Sequence, residues 1–340
     1  MVDAVLVGCG AMSRAWLEAA RQIEGLKIVG LVDLEPERAR ARSEEFALDG
    51  AEIAASLEEL LARRRPQVVL DVVVPAARAG VVLSALAHGC HVLSEKPLAA
   101  SLEEAHAIVS AARSQGRIHA VVQNRRYHEG VRRIRRFLDS GAIGKPTSLH
   151  CDFFLAPHFG GFREEMDHVL LLDMAIHTFD AARAMTGLDA KRVYCREWEA
   201  TGSWYRQGSS ATAIFDMEAG VVFTYRGSWC AEGLRTSWEA SWRIVGTHGS
   251  LVWDGFDVLA AETAGDEREG IFLRPSPVEV PAQDPCDRTG GHLGVMRDFM
   301  AAVRGGPPPE TAGSDNLKSL AMVFGAIRSA ETGFAVDIES

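Results

Sequence analysis

Residues 68–74 read VVLDVVV, apolar at every position but one. A strand with one wet face alternates apolar and polar residues. A strand apolar throughout is covered on both faces, as in the parallel sheets of α/β folds. Similar runs occur at Val2–Val7, Lys27–Val32 and in HVLSE at 91–95, with helical periodicity between them over 12–23, 36–46, 57–64, 78–88 and 102–114. A short strand is expected near Glu52 and another over 118–122. Strand and helix alternating up to residue 123 predict a parallel sheet with helices on both faces.

Beyond residue 123 the pattern changes. A helix over 129–138 and the turn SGAIGKP lead into SLHCDFFL, RVYCREW, SATAIFDM, GVVFTYRGSW and SWRIVG, a succession that predicts a largely antiparallel sheet. Residues 264–290, rich in Pro, Asp and Glu, are expected to be loop, and a closing helix over 314–332 to pack on either domain. At 340 residues the chain is too long for one small core. The expected fold class is α/β, with an N-terminal Rossmann dinucleotide-binding domain (1–123) and a C-terminal α/β domain (124–340) built on a large, mostly antiparallel open sheet.

A formal net charge of −10 works against general affinity for nucleic acid phosphates. Small molecules are the expected partners. No basic segment precedes the apolar N-terminal residues, and Asp71, Pro75 and Arg78 interrupt the apolar stretch 68–87, so neither a signal peptide nor a membrane span is expected. The six cysteines form no CxxC pair. That argues against a zinc site or a disulfide framework and favours the cytoplasm.

GCGAMS, residues 8–13, falls between an expected strand and an expected helix, the context in which a glycine fingerprint carries weight. Gly8 permits the tight turn and Gly10 lets the backbone approach a pyrophosphate, while Ala11 and Met12 open the helix N-terminus with its unfilled N–H donors. Ser13 replaces the third glycine, at a position where a small residue can pack. Asp33 ends the second strand, within the offset of about 20 residues expected of a carboxylate that holds the adenosine ribose hydroxyls. An acid there repels a 2′-phosphate, and Arg38 comes only a turn into the next helix, so NAD is expected and NADP less so. Pro75 and Glu95 to Pro97 end strands at the same edge of the sheet and are expected to line the cofactor site.

The chemistry is expected in two further motifs. SEKP, residues 94–97, sets Lys96 at a strand end, where an ammonium can hydrogen-bond a reacting hydroxyl and stabilise a developing alkoxide. LLLDMAIHTFD, residues 170–180, sets Asp173, His177 and Asp180 on one face of a helix turning about 100° per residue. A histidine with a carboxylate one turn before it has the tautomer and basicity of a general base. Metal binding is the competing reading of one His and two Asp, kept open by His158 and His168, but no metal is expected. Asp180 lies a turn farther from Asp173 and is expected only to anchor the helix.

On these motifs the chain resembles the glucose-fructose oxidoreductase, inositol dehydrogenase and rhizopine catabolism (Gfo/Idh/MocA) family. GCGAMS, EKP at 95–97, QNRRYH at 123–128, SGAIGKP at 140–146, DMAIHTFD at 173–180 and VGTHGSL at 245–251 follow the family's order over nearly the whole chain. The resemblance implies that Lys96, Asp173 and His177 are the catalytic group, with Asn124 and Arg125 near the nicotinamide. It implies hydride transfer between nicotinamide C4 and a sugar or polyol carbon while the histidine exchanges the hydroxyl proton. It also implies a homodimer or homotetramer formed through the C-terminal sheet. One departure is PAARAG from Pro75, which lacks a histidine the family often carries there.

Arg163, Asp167 and His168 precede the catalytic helix and are candidates to hydrogen-bond substrate hydroxyls. Trp229 and Trp238 are candidates to stack on the apolar face of a sugar. The function expected is an NAD-dependent oxidoreductase acting on a secondary hydroxyl or keto carbon of a cyclic polyol, aldose or sugar derivative. One rival is a redox-neutral NAD-dependent glycosidase; the other is a noncatalytic NAD or sugar sensor, which has no need of a proton relay.

Overall fold

The computed structural model describes residues 1–339 and divides into two compact units, one of residues 1–127 with 288–317, the other of 128–287 with the chain from Lys318 onward. The first unit begins with β1 (Val2–Val7), α1 (Ser13–Ala20), β2 (Leu26–Val32), α2 (Pro36–Glu45), β3 (Glu52–Ala54), α3 (Leu57–Arg64), β4 (Val68–Asp71), α4 (Pro75–Ala87), β5 (His91–Ser94), α5 (Leu102–Ser114) and β6 (His119–Val121). Its six strands are parallel in the order β3-β2-β1-β4-β5-β6. The order reverses between β1 and β4, the point beside which doubly wound sheets bind nucleotides. Ala4 to Leu6 of β1 and Val68 to Leu70 of β4 have no exposure at all, as strands covered on both faces require. VVLDVVV is therefore a strand only as far as Asp71. Val72 to Val74 form the turn that delivers Pro75 to the first position of α4, where a residue without an N–H costs nothing.

The second unit contains α6 (Glu129–Asp139), β7 (Pro146–Phe154), a π-helical turn (Leu170–Ala175) continuing into α7 (Ile176–Thr186), then β8 (Ala190–Trp198), β9 (Ser210–Met217), β10 (Val222–Ser228), β11 (Ser241–Gly246), β12 (Gly249–Trp253), β13 (Leu259–Glu269) and β14 (Phe272–Val278). After α8 (His292–Val303) and α9 (Gly313–Thr332), the short β15 (Val336–Asp337) completes a nine-stranded sheet ordered β14-β13-β12-β11-β7-β10-β9-β8-β15. All its pairings are antiparallel except β7 with β10. Burial alternates along β8 to β10, so one face is packed and the other open. Phe179 of α7 packs on the covered face, its ring centroid 4.8 Å from Phe215 and 5.2 Å from Tyr225. Tyr194 and Ile214, each 45% exposed, lie on the open face.

Three sequence expectations need correction. The stretch 264–290 is not all loop: β13 and β14 form a hairpin at the sheet edge. Both strands are largely exposed, which erases the apolar alternation that marks a strand, and Pro275 and Pro277 sit on the outermost strand, where missing donors are tolerated. Residues 288–317 group with the first unit, not with a second domain of 124–340. The reason is α8, whose Val295, Met296, Phe299 and Met300 join Trp16 and Leu17 of α1 in one core with Leu6, Leu31 and Val68. The closing helix α9 is divided, with residues up to Leu317 in the first unit and those from Lys318 in the second. Finally, 170–180 is not one regular α-helix, because the π-helical turn inserts extra backbone ahead of α7.

Candidate active site

The nucleotide loop follows β1. Gly8 has φ +92°, and a Cβ there would come 2.7 Å from the carbonyl carbon and oxygen of Val72, so the loops after β1 and β4 meet over this glycine. A Cβ on Gly10 would meet no protein atom within 4 Å. Space, not packing, is what that glycine preserves. Helix α1 begins without a side-chain cap, and the N–H groups of Gly10, Ala11 and Met12 have no acceptor among the described residues. Ser13 is fully buried and its hydroxyl donates to the Gly10 carbonyl at 2.6 Å, which satisfies the polar atom that replaced the third glycine.

Asp33 is fixed at the end of β2 by two backbone donors, Cys9 N–H at 2.8 Å and Glu35 N–H at 2.9 Å. Each carboxylate oxygen keeps acceptor capacity for a ribose hydroxyl. Nearby cations are engaged: Arg38 pairs with Glu35, while Arg42 pairs with Glu45 and donates to the Gly10 carbonyl at 3.3 Å. The open cradle at Gly10, the unfilled donors and the ordered carboxylate fit NAD.

Glu95, 8% exposed, accepts from the Trp16 indole N–H at 3.0 Å and from the Lys96 backbone N–H at 2.9 Å. His292 Nε2 lies 3.5 Å from the same carboxylate, and His292 Nδ1 is 3.5 Å from Asn124 Nδ2. Burial raises the Glu95 carboxyl, but the hydrogen bond and charge of His292, the Lys96 ammonium and the Trp16 N–H outweigh it and hold it below its ordinary value. Sequence reasoning missed His292. The available signal was the amphipathic HLGVMRDFMAAV of α8, whose first residue it is. Asn124 Oδ1 is buried without a partner, an acceptor that suits a cofactor amide. Asn124 and Arg125 lie in a 3₁₀ turn, Asn124–Tyr127, directly after β6.

Pro75 sits above the same sheet edge, and three residues on, Arg78 is 1% exposed. Its Nε donates to Asp71 at 3.1 Å, Nη2 donates to the Val73 carbonyl at 2.6 Å, and Nη1 donates to the Pro97 carbonyl. One buried guanidinium thus ties the loop after β4 to the Lys96–Pro97 turn after β5. Burial pushes the Asp71 carboxyl up, against the pull of Arg78.

In the second unit the π-helical turn carries Asp173, and His177 follows in the first turn of α7, 8% exposed. Such insertions recur at functional sites because they re-aim side chains. Asp173 accepts from Arg163 Nε at 2.7 Å in a partly buried ion pair. Asp180, with no exposure, accepts from Ser319 Oγ of α9 at 2.6 Å, a contact that anchors the helix.

The other residues expected to contact substrate have partners within the protein. Asp167 pairs with Arg206 at 3.0 Å, and His168 Nδ1 pairs with Glu197 at 2.5 Å. Trp229 is 1% exposed and packs against Tyr205 and Phe159, so its ring has no open face for a sugar. Trp238, 46% exposed, does. Their partners lie far away in sequence, beyond the reach of a local pattern. Among the described residues no group of three His, Cys, Asp or Glu is placed to hold a metal ion, and no helix is long and apolar enough to cross a membrane.

The His168–Glu197 pair has a pH signature. The hydrogen bond that His168 donates to Glu197 raises the His168 pKa above 6.5 against the opposing cost of burial, with the Glu197, Glu331 and Asp167 charges adding to the rise. A raised folded-state pKa gives stability that is fully present below the unfolded value and is lost as pH rises through the folded one. Thermal denaturation is expected to show His168→Gln more destabilised relative to wild type at about pH 5.5 than at about pH 9. An equal deficit at both would remove the charged pair from the account.

Residues 2–123 match the model described as an oxidoreductase family with an NAD-binding Rossmann fold, and residues 131–252 match the Gfo/Idh/MocA C-terminal domain. The chain is 26% identical over 347 residues to the 1,5-anhydro-D-fructose reductase of Ensifer adhaerens, covering 98% of each. It is 29% identical over 341 residues to the D-apiose dehydrogenase of Paraburkholderia graminis, covering 98% of this chain and 89% of that one. An Agrobacterium radiobacter oxidoreductase solved with NAD+, L-tartaric acid and magnesium shares the fold with a TM-score of 0.86 at 23% identity, covering 99% of this chain and 98% of that one. Matched in both its domains, the chain belongs to the Gfo/Idh/MocA family of oxidoreductases, and its N-terminal part is that family's NAD-binding Rossmann domain.

Proposed function

We propose that the protein is an NAD-dependent dehydrogenase or reductase acting on a secondary hydroxyl or keto carbon of a cyclic polyol, aldose or sugar derivative. The observation that carries this reading is the Glu95–Lys96 turn. A buried carboxylate receives the Lys96 backbone N–H, and Arg78 holds the next carbonyl, so the lysine is fixed at the sheet edge beside the nucleotide loop. Relatives covering nearly the whole chain are named for sugar oxidoreduction, which supports the substrate class.

NAD, when bound at Gly8 to Met12 and Asp33, supplies the hydride acceptor. Lys96 hydrogen-bonds the reacting oxygen and stabilises the alkoxide that develops on it. His177 takes the hydroxyl proton in oxidation and returns it in reduction. Asp173, paired with Arg163, orients His177 or the substrate. We assign the open face of the nine-stranded sheet to a homodimer or homotetramer interface. We place the protein in the cytoplasm, in keeping with six cysteines of which no two are joined.

The test is NADH formation across a panel of polyols, aldoses and sugar acids. The expected result is one NADH per substrate oxidised. Sugar released from a glycoside without stoichiometric NADH would replace the dehydrogenase with a redox-neutral glycosidase.

A further inference from the structure

We propose that Arg163 reads a carboxylate on the substrate, so that the preferred substrates are sugar acids or other polyhydroxy acids in place of their neutral counterparts; this rests on the dehydrogenase reading above. The guanidinium is pre-organised. Its Nε is spent on Asp173 at 2.7 Å, and its carbon lies 4.9 Å from the Phe159 ring centroid and 4.8 Å from that of Phe162. Neither Nη nitrogen has an acceptor among the described residues. An arginine fixed along one edge and covered by aromatic rings presents its two NH2 groups as a fork, which matches the two oxygens of a carboxylate.

The surroundings favour an acceptor-rich ligand. Phe159 and Phe162 are 44% and 53% exposed, which is costly for two phenylalanines in one short segment unless something covers them. The Phe159 ring also meets Trp229 edge-on at 5.4 Å, and the Trp229 indole N–H, on a residue 1% exposed, is buried without a partner. Unfilled donors of two residues therefore flank the same phenylalanine. Asp173 neutralises the guanidinium charge, so recognition is by directed hydrogen bonds and not by a general positive field. A chain of net charge −10 offers no such field.

The experiment compares kcat/KM for paired substrates, D-glucuronate with D-glucose and D-galactonate with D-galactitol, in wild type, Arg163→Lys and Arg163→Gln. Wild type is expected to prefer the acid of each pair, and the acid-to-neutral ratio to fall about a hundredfold in Arg163→Gln. In Arg163→Lys, which keeps the charge beside Asp173 but loses the fork, it is expected to fall part of the way. A ratio unchanged by either substitution would overturn the proposal, because a plain ion pair with Asp173 affects acid and neutral substrates alike. So would a wild-type preference for the neutral member. Calorimetric titration of the NAD-loaded protein with D-glucuronate and D-glucose separates the two proposals. Glucuronate binding that is lost in Arg163→Gln supports carboxylate recognition even if no panel member is oxidised; equal binding of both sugars, or of neither, overturns it whatever the turnover.

Discussion

In His177→Ala and in Lys96→Met, kcat for the best panel substrate is expected to fall about 10²–10⁴-fold, the range for losing one general acid–base group. The two should resemble each other in rate and differ in detail. In the proposed mechanism Lys96 acts on the charge that develops on oxygen, so its loss should lower kcat and kcat/KM together, as for an interaction made mainly in the transition state. With His177 as the proposed proton carrier, its loss should also remove a limb from the pH–rate profile. NADH binding, measured by calorimetry, should change little in His177→Ala, because the donors at Gly10 to Met12 and the Asp33 carboxylate are untouched. A variant that failed to bind NADH would make the lost rate a structural effect.

Arg78→Met is expected to destabilise the protein by about 3–5 kcal/mol, the cost of leaving one half of a buried ion pair uncompensated. Asp71 has no exposure and Arg78 only 1%, so no water replaces the lost partner. The carbonyls of Val73 and Pro97 lose their donor as well. The double variant Asp71→Leu/Arg78→Met removes the stranded charge and should recover more than half of the loss, since replacing a buried pair with apolar residues is often nearly neutral. Chemical denaturation of these two variants and of Asp71→Leu alone measures this. Simple additivity of the two single losses would mean that the residues do not act as a pair.

The nucleotide loop was legible because its constraint is local. Gly8, Gly10 and Ser13 lie between an apolar strand and a helix, and each does its work on backbone within a few residues or on the facing loop at Val72. The parallel sheet was legible for a similar reason: burial on both faces leaves continuous apolar runs. Where environment rather than pattern decides, the sequence was silent or misleading. The β13–β14 hairpin is too exposed to show a period of two.

Asp167, His168 and Trp229 have types suited to binding a sugar, but Arg206, Glu197 and Tyr205 claim them from distant positions. His292 could not be connected with Asn124, 168 residues earlier, until α8 had been placed in the core of the first unit. The π-helical turn beneath Asp173 had no sequence mark, and it undoes the even 100° spacing assumed for that helix.

The central claim, hydride transfer between a sugar carbon and NAD assisted by Lys96 and His177, is tested most directly by one isotope measurement. A panel substrate deuterated at the reacting carbon is incubated with NAD and the wild-type protein, and the nicotinamide product is examined for deuterium. The account predicts one deuterium at nicotinamide C4 per NADH formed, with a rate that collapses in both Lys96→Met and His177→Ala. Tight NAD binding with no deuterium transfer from any panel substrate, or transfer undiminished in both variants, would contradict it.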